Sequence, residues 1–176
     1  MADDEEAIAE QVLAGTDGIV VPAGLVEEVE GRVVEKSLLQ RVGAMTVAER
    51  IKLALHGNRE SRMLLLRDSN KLIRRFVLQN PRVGDDEVIA IAKNRSADDE
   101  ILRLIADNRN WIKNYQVRYA LVTNPKTPLT IALRFLSGLY ERDIRGLAKS
   151  KNVSATVAAQ AKRIIVQKTP SSSGGH

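Results

Sequence analysis

Apolar residues recur along this chain at helical spacing. Ile73, Phe76 and Val77 stand at i, i+3 and i+4, and Val117, Ala120 and Leu121 repeat that spacing 44 residues later. Each trio makes one apolar face on a helix. The next helix in each copy carries Val88, Ile91 and Ala92, then Ala132, Phe135 and Leu136. A third carries Ile101, Leu104 and Ile105, matched by Ile144, Leu147 and Ala148 after a slip of one residue. Large Phe76 stands where the other copy has small Ala120, and small Ala92 where the other has large Leu136. Close-packed layers require this trading of volume. A period of this length belongs to helical arrays, in which each unit buries its face against the next.

The polar positions between these faces predict where helices begin and end. Thr46-Val47-Ala48-Glu49 is a capping box, in which threonine accepts an orphan N–H and glutamate reaches back to the threonine N–H. The helix it opens runs to about Leu55 and stops at His56-Gly57-Asn58. Asn80-Pro81 and Asn124-Pro125 stop theirs, because a following proline pushes each asparagine out of the α region. Asn or Gly at helix ends can also stop a helix by taking the left-handed conformation. Thr127-Pro128 predicts a restart, with threonine as N-cap and proline at the first helical position. Ser96 with Asp99, and Ser154, mark further starts, and the last helix runs from Ser154 to about Gln167 with Val157, Ala161, Ile164 and Ile165 inward.

Upstream the pattern is weaker. Met1 to Leu13 reads as a frayed acidic tail or a weak helix, followed by the breaker cluster Gly15-Thr16-Asp17-Gly18. Leu25 to Val42 reads as a helix with two adjoining faces, Leu25/Val29/Val33 and Val34/Leu38/Val42, interrupted by Gly31. The expected organisation is a flexible acidic segment at 1–18, a capping or partner helix at 19–45, a repeat domain at 46–168 and a disordered tail at 169–176.

Ile73-Arg74 to Asn80-Pro81 and Val117-Arg118 to Asn124-Pro125-Lys126-Thr127-Pro128 resemble the unit of the bacterial leucine-rich repeat variant family, a Val-Arg pair followed by Asn-Pro and a second proline. The first copy departs from that unit at Gly84, where the second proline is expected. The resemblance spans roughly residues 46–166. It implies an all-α fold: a right-handed α-solenoid (superhelix) of short helices, some of them 3₁₀, akin to HEAT and armadillo arrays. It implies a fold and no activity. The family's best-known member adds an iron–sulfur cluster; this chain has no cysteine, so that feature does not carry over.

Lack of cysteine also excludes disulfides, a thiol nucleophile and cysteine zinc sites. The acidic start, Met1 to Glu10, is unlike a secretory signal, and no apolar run approaches the roughly 20 residues of a membrane span. A cytoplasmic location is expected. Charge is divided unevenly: residues 1–36 carry ten acidic and two basic side chains, a net of −8, and residues 37–176 carry 12 and 25, a net of +13. The basic body could attract nucleic acid, an anionic membrane or an acidic protein face, and the acidic head could fold back on it.

Catalytic signatures are missing. There is no Gly-rich phosphate loop and no nucleophile elbow, and His56 has no partner for a metal site or a triad except His176 in the tail. Asp85-Asp86-Glu87 and Asp98-Asp99-Glu100 resemble paired carboxylates, but both open expected helices, where the dipole and orphan N–H groups favour negative charge. The candidate binding residues are basic and aromatic. Arg74, Arg118, Lys93, Arg95, Arg109, Lys113 and Lys126 read as a basic set on equivalent repeat positions, with Lys149 and Lys151 further on, and Arg109, Trp111, Lys113 and Tyr115 fall in one polar, donor-rich run. Trp, Tyr and Arg together are typical of binding hot spots. The expectation is a non-enzymatic interaction scaffold or adaptor, without cofactor or metal, whose partner is a protein with an acidic or polar face. The alternative is nucleic-acid binding along a basic solenoid groove, disfavoured by the scarcity of aromatics for stacking. An alkylated-base glycosylase built on Asp107 and Trp111 is a remote third.

Overall fold

The computed structural model describes residues 1–28 and 36–168. All regular structure among them is helical: eleven α-helices and two short 3₁₀ turns. No described helix is long and apolar enough to cross a membrane. The expected positions Val29, Gly31, Val33 and Val34, and the tail 169–176, lie outside the described residues. The chain divides into two compact units, Met1–Val83 and Gly84–His176. The stretch 46–168, expected as one domain, is thus split, and its first part shares a unit with the N-terminal segments.

The first unit holds α1 (Ala2–Ala14), a 3₁₀ turn (Ala23–Leu25), α2 (Lys36–Gly43), α3 (Val47–His56), α4 (Arg59–Leu65) and α5 (Lys71–Val77). Helix α3 packs on α1, α4 and α5. Ile51, Leu53, Leu55, Ile73 and Phe76 are fully buried, and Ala9, Val12, Leu25, Leu38 and Val42 join their cluster. Those last residues explain the grouping: α1, the 3₁₀ turn and α2 bury their only apolar faces there. Residues 1–18, expected to be a flexible acidic segment, hold helix α1, which makes charged contacts as well. Glu6 pairs with Arg75, Glu5 accepts from Asn70 Nδ2 at 3.0 Å, and the Asp17 carboxylate meets Lys52 Nζ at 2.7 Å. The acidic head does fold back on basic residues, within this unit.

The second unit holds α6 (Asp85–Lys93), α7 (Asp99–Asp107), a 3₁₀ turn (Trp111–Lys113), α8 (Tyr115–Thr123), α9 (Leu129–Leu136), α10 (Glu141–Lys149) and α11 (Ala155–Lys168). Helix α8 packs on α6 and α9, and α11 packs on α9 and α10. The expected faces are buried on α6, α8 and α9. On α7 the inward residues are Ile101, Leu102, Ile105 and Ala106, while Leu104 is only half-buried. The face is centred one position away from the expected one, because residues 101, 102 and 105 also satisfy helical spacing. On α10, Ile144 and Leu147 are buried and Ala148 is half-buried.

Helices α6, α7 and α8 each end on an extended asparagine. Among the described residues only Gly15, which ends α1, has a positive φ, 68°. The asparagines that stop α6, α7 and α8 are extended instead: Asn94 at φ −70, ψ 114, Asn108 at −78, 107 and Asn124 at −80, 119. Their side chains accept the N–H two residues on, at 2.9 to 3.0 Å, which turns the chain without left-handed backbone. The capping box forms as expected, Thr46 Oγ1 accepting from Glu49 N at 3.2 Å and Glu49 Oε2 accepting from Thr46 N at 2.7 Å. Ser154 caps α11. Two expected starts shift. Asp98, rather than Ser96, caps α7, and α9 begins after Pro128 with the Thr127 hydroxyl buried and not used as a cap.

Candidate functional site

The residues repeated at the 44-residue offset repeat their hydrogen bonds as well. Asn80 Nδ2 donates to the Ala54 and Gly57 carbonyls at the end of α3, at 3.0 and 3.2 Å. Asn124 Nδ2 donates to the Ala92 and Asn94 carbonyls at the end of α6, at 2.7 and 2.9 Å. Both asparagines are buried, at 3% and 5% exposure. A helix leaves its last carbonyls without intrahelical donors, and here an amide from a later helix end supplies them. The sequence marks these asparagines as stops; that they are also clamps has no local signature.

The repeated arginines behave in the same way. Arg74 donates from one nitrogen to the Asp68 and Ser69 carbonyls, and Arg118 Nη1 donates to the Ile112 and Lys113 carbonyls at 2.6 and 3.0 Å. Each guanidinium reaches back five and six residues and ties the loop before its own helix. Both are half-buried. Tyr115 is engaged too. Its hydroxyl donates to Asp143 and accepts from Tyr140 N at 3.1 Å, and its ring stacks on Tyr140 at 4.2 Å and on Tyr119 at 6.4 Å between centroids. Arg118 lies over the Tyr115 ring at 5.6 Å. Burial and donation to the Asp143 carboxylate push the Tyr115 phenol above its ordinary value.

The other candidates face water. Arg109 and Lys126 are exposed, with side chains that have no protein partner among the described residues; Lys113 Nζ meets only Asn110 Oδ1, at 3.3 Å. Trp111 is half-buried in its 3₁₀ turn, which the Asn108 side chain holds by accepting the Asn110 and Trp111 N–H groups at 3.0 and 3.2 Å. Asp107 is exposed and lies 3.8 Å from Arg134, which also donates to the Ala106 carbonyl at 2.9 Å. Asp85, Asp86 and Glu87 occupy the first turn of α6, Asp98 caps α7 with Asp99 and Glu100 in its first turn, and among the described residues no group of three acidic or histidine side chains is gathered for a metal.

A cleft of about 490 Å³ opens on the second unit, among the ends of α6, α8 and α10. Lys93 and Arg95 line it with Tyr119, Gly146, Leu147 and Val153, and no carboxylate contributes to its wall. Arg95 Nη2 donates to the Asn152 carbonyl at 3.0 Å, which fixes one side of its guanidinium. The Lys93 ammonium and the Tyr119 hydroxyl have no protein partner among the described residues. None of Arg74, Arg109, Trp111, Lys113, Tyr115, Arg118 or Lys126 lines this cleft. The sequence does flag Lys93 and Arg95 as basic, but not their meeting with Tyr119, which needs α8 packed on α6. No family model, curated protein or solved structure matches the chain.

Proposed function

We propose that the chain is a non-catalytic interaction module, a right-handed helical-repeat solenoid of the leucine-rich repeat variant kind, that presents a cationic, donor-rich surface to an acidic protein partner in the cytoplasm. One observation carries this reading: positions 44 residues apart perform the same internal tasks, Asn80 with Asn124 and Arg74 with Arg118. A chain whose polar pattern repeats to build layers uses its remaining surface for recognition. The internal use of Arg74, Arg118 and Tyr115 narrows that surface to Arg109, Trp111, Lys113 and Lys126. Arg and Trp there supply the anchor chemistry typical of interface centres.

The test is affinity capture with the full chain and with an Arg109→Ala/Trp111→Ala double variant whose helicity is checked by circular dichroism. The partner should be lost by the double variant. Equal capture by both proteins would remove this surface from the assignment. Recovery of nucleic acid instead, with affinity collapsing between about 50 and 200 mM salt, would favour the phosphate-binding alternative.

A further inference from the structure

Gly146 lies in the middle of α10, where glycine weakens a helix relative to alanine. Its φ is not positive, and a Cβ added there would meet nothing within 4 Å. Neither backbone conformation nor internal packing therefore calls for glycine. What Gly146 does border is the cleft. A missing side chain at a cavity wall leaves room for something that approaches the backbone closely.

We propose that this cleft binds a small phosphomonoester. Its two cations, Lys93 and Arg95, have no carboxylate beside them in the wall. A phosphomonoester carries a charge between −1.5 and −2 near neutral pH, which matches two cations, whereas a single carboxylate leaves one unmatched. Arg95 is anchored through Nη2 to Asn152, so its remaining donors are held in place, and an arginine fork suits phosphate oxygens. The Tyr119 hydroxyl adds a donor that nothing in the described protein uses. The volume, about 490 Å³, falls in the range of organic-ligand sites and exceeds what bare phosphate fills. The ester's organic body then lies against Tyr119, Leu147 and Val153, over the gap left by Gly146. A nucleoside monophosphate and a sugar phosphate share this chemistry.

Calorimetric titration of the full chain at low salt with phenyl phosphate, adenosine monophosphate, glucose 6-phosphate and inorganic phosphate tests it. At least one ester should bind with a Kd below about 1 mM and about tenfold more tightly than inorganic phosphate. Preference for the nucleotide or for the sugar phosphate identifies the source. Lys93→Gln, an exposed position, should weaken the ester about tenfold or more, as loss of a charged hydrogen bond does. Gly146→Met should abolish binding while raising the melting temperature or leaving it unchanged. No saturable binding by any ester at about 1 mM, or equal affinity for ester and inorganic phosphate, overturns the proposal. So does binding that survives both substitutions.

Discussion

Asn124→Ala removes three hydrogen bonds at one buried position: two donated to the Ala92 and Asn94 carbonyls and one accepted from Lys126 N. Each is worth about 1 kcal/mol net, and the buried Ala92 carbonyl is stranded besides, so the expected loss is about 2–4 kcal/mol. That is a large part of the stability of a domain this size, about 5–10 kcal/mol. Urea denaturation followed by tryptophan fluorescence reads it directly, because the sole tryptophan, Trp111, lies in the same unit as the clamp. With m near 1–1.5 kcal/mol/M the midpoint should fall by about 1.5–4 M. Asn94→Ala is the control, since it loses only the accepted bond from Ser96 N at an exposed site and should cost well under about 1 kcal/mol. Asn124→Asp keeps the acceptor but points a carboxylate at two carbonyls, so it should be at least as damaging as alanine. If Asn124→Asp is tolerated, or if Asn124→Ala is as mild as Asn94→Ala, the amide is not a clamp.

Glycine to alanine should have opposite signs at two positions. Gly57→Ala places a Cβ 2.2 Å from the Leu53 carbonyl oxygen and should lower the melting temperature by more than 8 °C at about 2 kcal/mol or more, whereas Gly146→Ala should raise it by about 4–8 °C through a gain of about 1 kcal/mol. Arg118→Ala, which removes both bonds that Nη1 donates to the Ile112 and Lys113 carbonyls, should cost about 1–2 kcal/mol in the same melts, and an unchanged melting temperature would refute the loop-tying role. Acid should destabilise the first unit. Asp17 is held below the ordinary carboxylate value by the hydrogen bond from Lys52; for Glu28 burial acts upward but is outweighed by donors from Arg62 and Arg59; Glu49 is lowered by the Thr46 N–H and hydroxyl. A lowered folded value helps folding above the unfolded carboxylate range, near pH 4, and that help is lost as pH falls through the folded values. Denaturation midpoints should therefore drop below about pH 4, and Glu28→Gln should flatten that slope. Tyr115 has the opposite sign: its raised value contributes stability below about pH 10 that is lost as pH rises through the folded value, an alkaline limb that Tyr115→Phe should remove.

Sequence and structure agree best where one residue's physics decides the outcome locally. The Thr46–Glu49 box and the Ser154 cap follow from oxygen and N–H groups three residues apart, and burial of Ile73, Phe76, Val117 and Leu121 follows from helical spacing. Asn124, followed by Pro125, is extended and ends α8. The differences arise where partners are distant in the chain. Leu102 displaces Leu104 from the α7 face because neighbouring helices select among several apolar arcs. Tyr115 reads as a surface binder from its type, yet Asp143 and Tyr140 engage its hydroxyl; Arg74 and Arg118 read likewise and are engaged nearer by, at carbonyls five and six residues back. The amphipathicity of α1 is weak, and burial of Ala9 and Val12 with the partners of Glu5 and Glu6 shows why it is held. The cleft joins residues from 93 to 153, so no window of sequence contains it.

The long-range hydrogen bonds also prescribe where the chain can be cut. Arg82 reaches back to the Val26 and His56 carbonyls, and Asn80 to Ala54 and Gly57, so that bracket closes at residue 82. Asp85 opens the next by accepting from Asn114 Nδ2 at 2.9 Å, and Asn124 closes on Ala92 and Asn94 within it. Fragments that begin or end inside either bracket separate a helix end from its own cap. The seam at Val83–Gly84 lies outside both brackets and coincides with the boundary between the compact units. A split reporter, a circular permutation or a grafted repeat should therefore be built in that phase.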